Sequence, residues 1–173
     1  MFIVPRSISF LLKEEVDVRI ALYQPDIAPN AGALFRLASV IGTVVDLIGP
    51  AGFVMSDKRL RRAAMDYFDT SNVRLHDSWD NYLVFRSSRL EKSGRIILLT
   101  TFGDRSYIDF SYRADDTLLV GRETAGVPPE IHEFSDARLR VPMVKGRRSL
   151  NVVVTTAVVV GEAFRQTGLW NTL

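Results

Sequence analysis

The most constraining feature of the chain is a series of short apolar runs that alternate with segments of helical periodicity. The runs cover residues 18–23 (VRIALY), 44–48, 73–76, 95–101 (RIILLTT) and 117–120 (TLLV). Continuously apolar strands are typical of a parallel sheet that is covered by helices on both faces. The sequence therefore predicts an α/β fold with a mostly parallel sheet. Ligands bind beyond the carboxyl ends of such strands, so we expect a site in the loops after Leu99, Val120 and Val141.

The predicted helices lie between these runs. Asn30 is expected to cap the first, which turns Leu34, Leu37, Ala38 and Ile41 inward. Gly32 and Arg36 then share its other face, and Gly32 leaves the backbone open to a large partner. Further helices are predicted from Asp57 to about residue 67, from residue 78 to about 90, and from the Pro128-Pro129 pair to Phe134. A last strand is expected over residues 137–143.

The segment from Val141 to Gln166 has the most ambiguous local signal. Its valines favour a strand, but a strand of that length would exceed the usual range of about 3–10 residues. Its polar residues share one stripe at 3.6-residue spacing, which indicates a helix. We therefore predict a buried strand end, a basic loop, and a mostly buried helix with Ser149 as its N-cap. The polar stripe consists of Asn151, Thr155, Glu162, Arg165 and Gln166.

Composition limits the possible functions. The chain has 173 residues, a net charge of +2 and no cysteine, which excludes disulfides, thiolate metal sites and a cysteine nucleophile. The two histidines have no partners at ligand spacing, so we expect no metal site. No apolar window is long enough for a membrane helix. We expect a cytoplasmic protein in which residues 1–17 are an extension and residues 18–173 form one domain.

Several motifs have both an ordinary and a functional interpretation. Lys58, Arg59, Arg61 and Arg62 crowd the start of a helix, where cations oppose the macrodipole; they are either a solvated face or a site for phosphate. The loop from Gly121 to Gly126 is either an ordinary turn or a place where the backbone approaches a ligand. It lacks the GxGxxG pattern, which disfavours a dinucleotide-dependent oxidoreductase.

Four segments, in order and at matching spacing, resemble the SPOUT superfamily of S-adenosylmethionine-dependent RNA methyltransferases. The most similar group is the TrmL (YibK-like) family of tRNA 2'-O-methyltransferases. The segments are LYQPDIAPNAG with Arg36; DKRLRRA with Asp66 and Tyr67; GRETAGVP; and VPM with RSLN, Glu162, Arg165 and Gln166. The chain departs from the family at three positions: Ala31 and Ala33 replace a threonine and an asparagine of the first motif, and Gly161 stands where some members have a tyrosine.

The resemblance implies a C-terminal trefoil knot, a homodimer and S-adenosylmethionine as cofactor. It implies methylation of the ribose 2'-hydroxyl of a wobble cytidine or uridine in a tRNA anticodon stem-loop. Carried over by motif, the cofactor-binding positions are Leu99, Gly121, Val141 and Ser149. The active-site positions are Asn30, Arg36, Glu123 and Asn151. RNA contacts are expected from Lys58, Arg59, Arg61, Arg62, Arg147 and Arg148.

The chemistry of these residues favours particular roles. A guanidinium keeps its proton above pH 12, so we predict that Arg36 clamps a substrate phosphate instead of accepting a proton. Glu123 is either an orienting acceptor or the base. Two alternatives remain, namely methylation of ribosomal RNA or of another tRNA position, and a non-catalytic RNA-binding dimer.

Overall fold

The computed structural model describes residues 18–65, 73–88 and 94–173. The predicted extension over residues 1–17, the motif positions Asp66 and Tyr67, and the predicted helix end near residue 90 lie outside these ranges. Seven strands form one sheet in the order β3-β2-β1-β6-β4-β7-β5, and every neighbouring pair is parallel. The strands are β1 (Arg19–Tyr23), β2 (Val45–Ile48), β3 (Val73–His76), β4 (Ile96–Leu99), β5 (Arg105–Ser106), β6 (Thr117–Val120) and β7 (Ala137–Arg140).

Helices cover both faces of the sheet, as predicted. They are α1 (Ala28–Ile41), α2 (Lys58–Ala64), α3 (Trp79–Ser88), α4 (Pro129–Phe134) and α5 (Val152–Thr167). Successive side chains of β1 point into different cores, because Ile20 packs with α1 and α5 whereas Ala21 packs with α3 and α4. All residues of β2, β4 and β6 are buried, which explains why their sequences are mostly apolar; Asp46 of β2 and Thr117 of β6 are the buried polar exceptions.

The start of α1 differs from the prediction. Ile27 occupies the N-cap without a side-chain hydrogen bond, and Pro29 lies in the first turn. Proline suits this position because its fixed φ matches the helix and its missing N–H would have no helical partner. Asn30 therefore lies inside the helix, and its side chain is available for contacts elsewhere.

The prediction for Gly32 was also wrong. Gly32 is buried, and α1 packs against α2 at this point. A Cβ placed there would overlap the Leu60 carbonyl oxygen and lie 2.9 Å from the Ala63 Cβ. The missing side chain thus lets two helices approach each other closely and leaves no opening for a ligand.

The last strand ends earlier than predicted. It stops at Arg140, and the following Pro142 and Met143 are exposed and lie outside the sheet. Proline lacks the amide hydrogen that a strand would donate, so it does not continue a ladder. The chain instead enters the loop that leads to α5, and this early exit brings Val141 and Met143 to the edge of the sheet where the strands end.

Candidate functional site

A cavity of about 550 Å³ lies at the carboxyl ends of β4, β6 and β7. Its walls come from the loops after these strands, from the start of α1 and from the start of α5. The prediction that the loops after Leu99, Val120 and Val141 form the site is consistent with this position, and the topology explains it because parallel strands end at the same edge.

The structure brings most of the predicted site residues together. All four predicted cofactor positions line the cavity, as do three of the four predicted active-site positions. They are Leu99, Gly121, Val141, Ser149, Asn30, Glu123 and Asn151. These residues come from distant parts of the sequence, so their meeting is a result of the fold.

Three side chains in the cavity form a hydrogen-bonded chain. The Asn151 Nδ2 donates to the Asn30 Oδ1 over 3.3 Å, and the Asn30 Nδ2 donates to the Glu123 Oε1 over 3.1 Å. The other carboxylate oxygen of Glu123 accepts the backbone N–H of Asp26 over 2.8 Å. The chain joins the start of α5, the first turn of α1 and the loop after β6, so it fixes their relative positions at the cavity.

Asp26 holds the loop after β6 from the other side. Its Oδ1 accepts from the Arg122 Nη2 over 2.8 Å, and its Oδ2 accepts from the Thr124 hydroxyl. The hydrogen bond from Arg122, followed by that from Thr124, holds the pKa of Asp26 below its usual value. Asp26 is therefore a carboxylate at neutral pH, which keeps both contacts intact.

Gly121 and Gly126 allow the tight backbone conformation of the loop after β6. The backbone N–H groups of Arg122 and Gly126 each donate to the other residue's carbonyl, over 2.9 and 2.8 Å. A Cβ at Gly121 would lie 2.5 Å from the carbonyl carbon of Gly126, and Gly126 has a φ of 68°. Only glycine fits the close approach at the first position, and it is favoured by the left-handed backbone at the second. The loop is thus a tightly closed turn that presents Glu123 to the cavity.

The N-cap of α5 is Asn151, and the prediction of Ser149 was wrong. The Asn151 Oδ1 accepts from the backbone N–H groups of Val153 and Val154, over 2.8 and 3.4 Å. Both Asn and Ser are favoured caps, so propensity alone did not separate them. Ser149 precedes the helix and is exposed at the cavity wall. Asn151 consequently has two functions, because its oxygen caps the helix while its nitrogen binds Asn30.

The α5 helix is less buried than predicted. Its inner face is buried at Val159, Val160, Ala163 and Phe164, but Val154 and Val158 are exposed on the other side. Two residues of the polar stripe pair with each other, because the Arg165 guanidinium donates to both carboxylate oxygens of Glu162 over 2.8 and 2.7 Å. These hydrogen bonds lower the pKa of Glu162 to about 2.

Arg36 is the one predicted active-site residue that does not line the cavity. It is exposed on α1, and its Nη1 lies 2.9 Å from the Met65 sulfur. It stands near the basic helix α2, whose Lys58, Arg61 and Arg62 are exposed. Its position thus fits a contact with a ligand that extends beyond the cavity.

The basic surface has two parts. Lys58, Arg59, Arg61 and Arg62 are exposed on α2, and Arg147 and Arg148 are exposed in the loop before α5. The predicted cap of α2 is confirmed, because the Asp57 Oδ1 accepts the Arg59 N–H over 2.7 Å. The side chain of Arg59 also pairs with Asp57 and lowers the pKa of that carboxyl.

Several residues that line the cavity were not named individually from the sequence. Thr100, Thr101 and Phe102 lie in the loop after Leu99, where a site was expected, although the predicted strand extended to Thr101. His132 also lines it, from α4, and it carried no signal beyond being one of two histidines.

The other histidine, His76, is buried on β3 with its Nε2 2.9 Å from the Asp46 Oδ1. Within residues 18–65, 73–88 and 94–173, no group of three or more His, Cys, Asp or Glu side chains is arranged to hold a metal ion. No helix in that part of the chain is long and apolar enough to cross a membrane.

A parallel α/β sheet with a cavity at its strand ends, walled by polar side chains from three separate loops, defines a ligand-binding α/β domain. The chain belongs to the SpoU rRNA Methylase family, whose model matches residues 17–161. This confirms the resemblance that the four motifs indicated.

Individual relatives agree with the family match. A Beijerinckia indica protein named tRNA (cytidine(34)-2'-O)-methyltransferase is 46% identical over 149 residues, which are 86% of this chain and 91% of that protein. A solved structure described as "Structural insights into the 2-OH methylation of C/U34 on tRNA" has a TM-score of 0.80 at 36% identity and covers 87% of this chain and 96% of that one.

A more distant structure supports the fold alone. The Streptomyces viridochromogenes SpoU methyltransferase AviRb, in complex with AdoMet, has a TM-score of 0.79 at 22% identity. The match covers 88% of this chain and 58% of that one. The sheet and its helices are therefore shared across members of widely different sequence.

Proposed function

We propose that the protein transfers a methyl group from S-adenosylmethionine to the ribose 2'-hydroxyl of the wobble cytidine or uridine in a tRNA anticodon loop. The observation that carries the proposal is the meeting of seven predicted site residues in one cavity. The names of relatives that align over most of their length point to the same reaction.

The cavity suits the proposed cofactor. Its volume of about 550 Å³ falls within the range of about 300–1,000 Å³ that is usual for small-molecule sites. Leu99, Val141 and Leu150 give it apolar walls for a purine, and the Ser149 hydroxyl and the Glu123 carboxylate add polar groups. A carboxylate also favours the positive charge of a sulfonium. When bound, S-adenosylmethionine supplies an electrophilic methyl group.

Glu123 is proposed as an orienting acceptor. Both of its oxygens accept hydrogen bonds, one from Asn30 and one from the backbone of Asp26. A carboxylate held in this way is better suited to fixing the Asn30 amide than to moving toward a proton. Asn30 and Asn151 in turn hold the walls of the cavity in fixed relative positions. The reaction depends mainly on the alignment of the methyl group with the 2'-hydroxyl.

Arg36 is proposed to clamp a phosphate of the RNA next to the target ribose. Its guanidinium offers a planar fork of donors that matches a phosphate, and it is exposed next to the basic helix α2. The neighbouring phosphates are proposed to contact Lys58, Arg59, Arg61, Arg62, Arg147 and Arg148. The clamp holds the 2'-hydroxyl in position while the proton leaves to solvent or to an acceptor in the complex.

The active form is proposed to be a homodimer in the cytoplasm, with residues 18–173 as the methyltransferase domain and residues 1–17 as an extension. Val154 and Val158 lie one turn apart on the outer face of α5, with 47% and 38% of their surface exposed. An apolar strip on a helix supports burial against a second copy.

The C-terminal segment is proposed to form a trefoil knot. β7 lies between β4 and β5, so the chain that leaves β7 passes the connections of its neighbours. Gln166 of α5 then binds the connection between β5 and β6, because its Nε2 donates to the Phe110 carbonyl and its Oε1 accepts the Tyr112 N–H, both over 3.0 Å. These contacts support a tight threading around that connection.

Methyl transfer in vitro tests the proposal. The purified chain is incubated with S-adenosylmethionine carrying a labelled methyl group and with an anticodon stem-loop RNA. We expect label in the RNA, and we expect none when nucleotide 34 alone carries a 2'-deoxyribose. Label that persists with the deoxy substitution places the reaction elsewhere, and label only in a ribosomal RNA fragment contradicts the tRNA assignment.

A further inference from the structure

Phe102 is the most exposed large apolar side chain in the described part of the chain, with 85% of its surface accessible. It lies in the loop after β4 and lines the cavity. Leu99, three residues earlier, is only 8% exposed. The ring is therefore at the mouth of the cavity, whereas Leu99, a predicted cofactor position, lies deeper in the cavity wall.

The turn that carries Phe102 is firmly held. The backbone N–H of Phe102 donates to the Thr100 hydroxyl over 3.3 Å, and the backbone N–H of Gly103 donates to the Thr100 carbonyl over 3.2 Å. Gly103 is buried against β7, where a Cβ would lie 2.5 Å from the carbonyl carbon of Leu139. The Arg140 Nη1 donates to the Gly103 carbonyl over 2.6 Å. The backbone thus presents the ring to solvent in a defined place.

Other exposed residues at and near the cavity favour a flat, apolar partner attached to an anionic backbone. Met143 lines the same cavity and is 37% exposed, and Arg147 and Arg148 are exposed in the same loop as Met143. Exposed aromatic side chains on a protein with a basic surface are the usual platform for bases of single-stranded nucleic acid. A free aromatic ring of this kind costs little entropy to order, because its backbone is already fixed.

We propose that Phe102 is a positioning residue whose ring stacks on an unpaired base of the RNA strand that enters the cavity. The inference rests on the proposed function and goes further, because it names the part of the RNA that this loop binds. Stacking orients the strand so that the target ribose faces the cavity. The other source of a flat base is the adenine of the cofactor, and the experiment separates the two.

The experiment compares Phe102→Ala, Phe102→Leu and Phe102→Tyr with the full wild-type chain. Affinity for the anticodon stem-loop is measured at one fixed salt concentration, affinity for S-adenosylmethionine by calorimetry, and stability by thermal unfolding. Val84→Ala is the matched control, because Val84 is 67% exposed on α3 and does not line the cavity. Stacking contributes about 1–3 kcal/mol per base, so we expect Phe102→Ala to weaken RNA binding about 5- to 150-fold.

The graded variants separate stacking from general apolarity. We expect Phe102→Tyr to bind RNA within about threefold of wild type and Phe102→Leu to resemble Phe102→Ala, because leucine has no aromatic face. Affinity for S-adenosylmethionine and the Tm should stay at wild-type values. Leucine that restores binding, or an alanine variant with a cofactor defect as large as its RNA defect, overturns the proposal.

A second comparison identifies the stacked base. Stem-loops that carry an abasic ribose at position 34, or at either neighbour, are bound to wild type and to Phe102→Ala. At one position, loss of the base should weaken binding to wild type but not to the variant, since the stacking partner is already gone. Equal losses in both proteins at all positions overturn the proposal. A wild-type chain that transfers no methyl group to the intact stem-loop, by contrast, contradicts the proposed function.

Discussion

The side-chain amide of Asn151 donates a hydrogen bond to the side-chain oxygen of Asn30 over 3.3 Å, although the two residues are 121 positions apart. The oxygen of the same Asn151 amide caps α5. One side chain therefore determines both where the last helix begins and how it is attached to α1. This double attachment allows the two effects to be separated by mutation.

Asn151→Ser should retain the cap and lose the bond to Asn30, because a serine hydroxyl caps a helix about as well as an asparagine. We expect the free energy of unfolding to fall by about 0.5–1.5 kcal/mol, because the bond to Asn30 is lost while the cap remains. Methyl transfer should fall about tenfold, the equivalent of one hydrogen bond of about 1–1.5 kcal/mol. Asn151→Ala should lose the same activity and about 1 kcal/mol of stability in addition. Chemical denaturation and kcat/KM are the measurements, and a serine variant with full activity would rule out the role of this bond.

Arg36→Lys tests the phosphate clamp. Lysine keeps the charge but loses the planar fork, so we expect kcat/KM to fall about 10- to 100-fold. The matched control is Arg62→Lys on the neighbouring basic helix, where a charge alone suffices and we expect a change within about twofold. Near-normal turnover of Arg36→Lys would exclude a bidentate clamp.

RNA affinity should depend strongly on salt. Each phosphate contact contributes about 0.7–0.9 to the slope of log K against log salt concentration, so Arg62→Ala should reduce the slope by about that amount. Arg113→Ala is the control, because Arg113 is exposed just before β6, at the opposite end of the sheet from the cavity. Equal affinity at low and moderate salt would show that the basic surface does not bind the phosphates.

The buried ion pair around Asp46 should make a large electrostatic contribution to stability. Asp46 is 1% exposed; its Oδ2 lies 3.3 Å from the Arg19 Nε, and its Oδ1 lies 2.9 Å from the His76 Nε2. The Arg19 Nη2 is buried without a hydrogen-bond partner in the described residues, so removal of Asp46 leaves Arg19 with little compensation. Asp46→Ala should cost about 3–5 kcal/mol.

Asp104→Ala removes an exposed pair with Arg138 and should cost less than about 1 kcal/mol. Denaturation curves of the two variants give the comparison. Equal losses would mean that burial does not amplify the Asp46 interaction.

The contribution of Asp46 should depend on pH in a defined direction. Burial acts to raise the pKa of Asp46, but the hydrogen bond with His76 and the charge of Arg19 outweigh it and hold the pKa below the usual value. The stabilisation is therefore present above the ordinary carboxyl pKa of about 3.9 and is lost as pH falls through the lower native pKa. The difference in stability between wild type and Asp46→Ala should accordingly shrink below about pH 4.

The sequence predicted the sheet and the cavity better than it predicted the details at helix ends. Short apolar runs such as Leu118 to Val120 favour a strand that is covered on both faces, and parallel strands of that kind end at the same edge of the sheet. Helix caps depend on small differences between similar side chains, and cap propensity alone does not separate Ser149 from Asn151. The role of Gly32 depended on α2, a helix more than twenty positions away, which no local pattern around Gly32 reveals.

The membership of the cavity was predictable only through the resemblance to a family. Local periodicity identifies the strand that ends at Leu99, but the meeting of Asn30, Glu123 and Asn151 depends on contacts between distant segments. Phe102 has no sequence signal of its own, because a phenylalanine in a loop has no periodicity and exposed apolar residues are common on protein surfaces.

The most direct test of the central claim is a map of ribose methylation in tRNA from cells that contain the gene and from cells that lack it. The account predicts that a 2'-O-methyl group at nucleotide 34 of one or more tRNAs disappears when the gene is deleted. It also predicts that the wild-type gene restores the methyl group and that the Arg36→Lys allele restores much less of it. Unchanged methylation at nucleotide 34 in every tRNA after deletion would contradict the account.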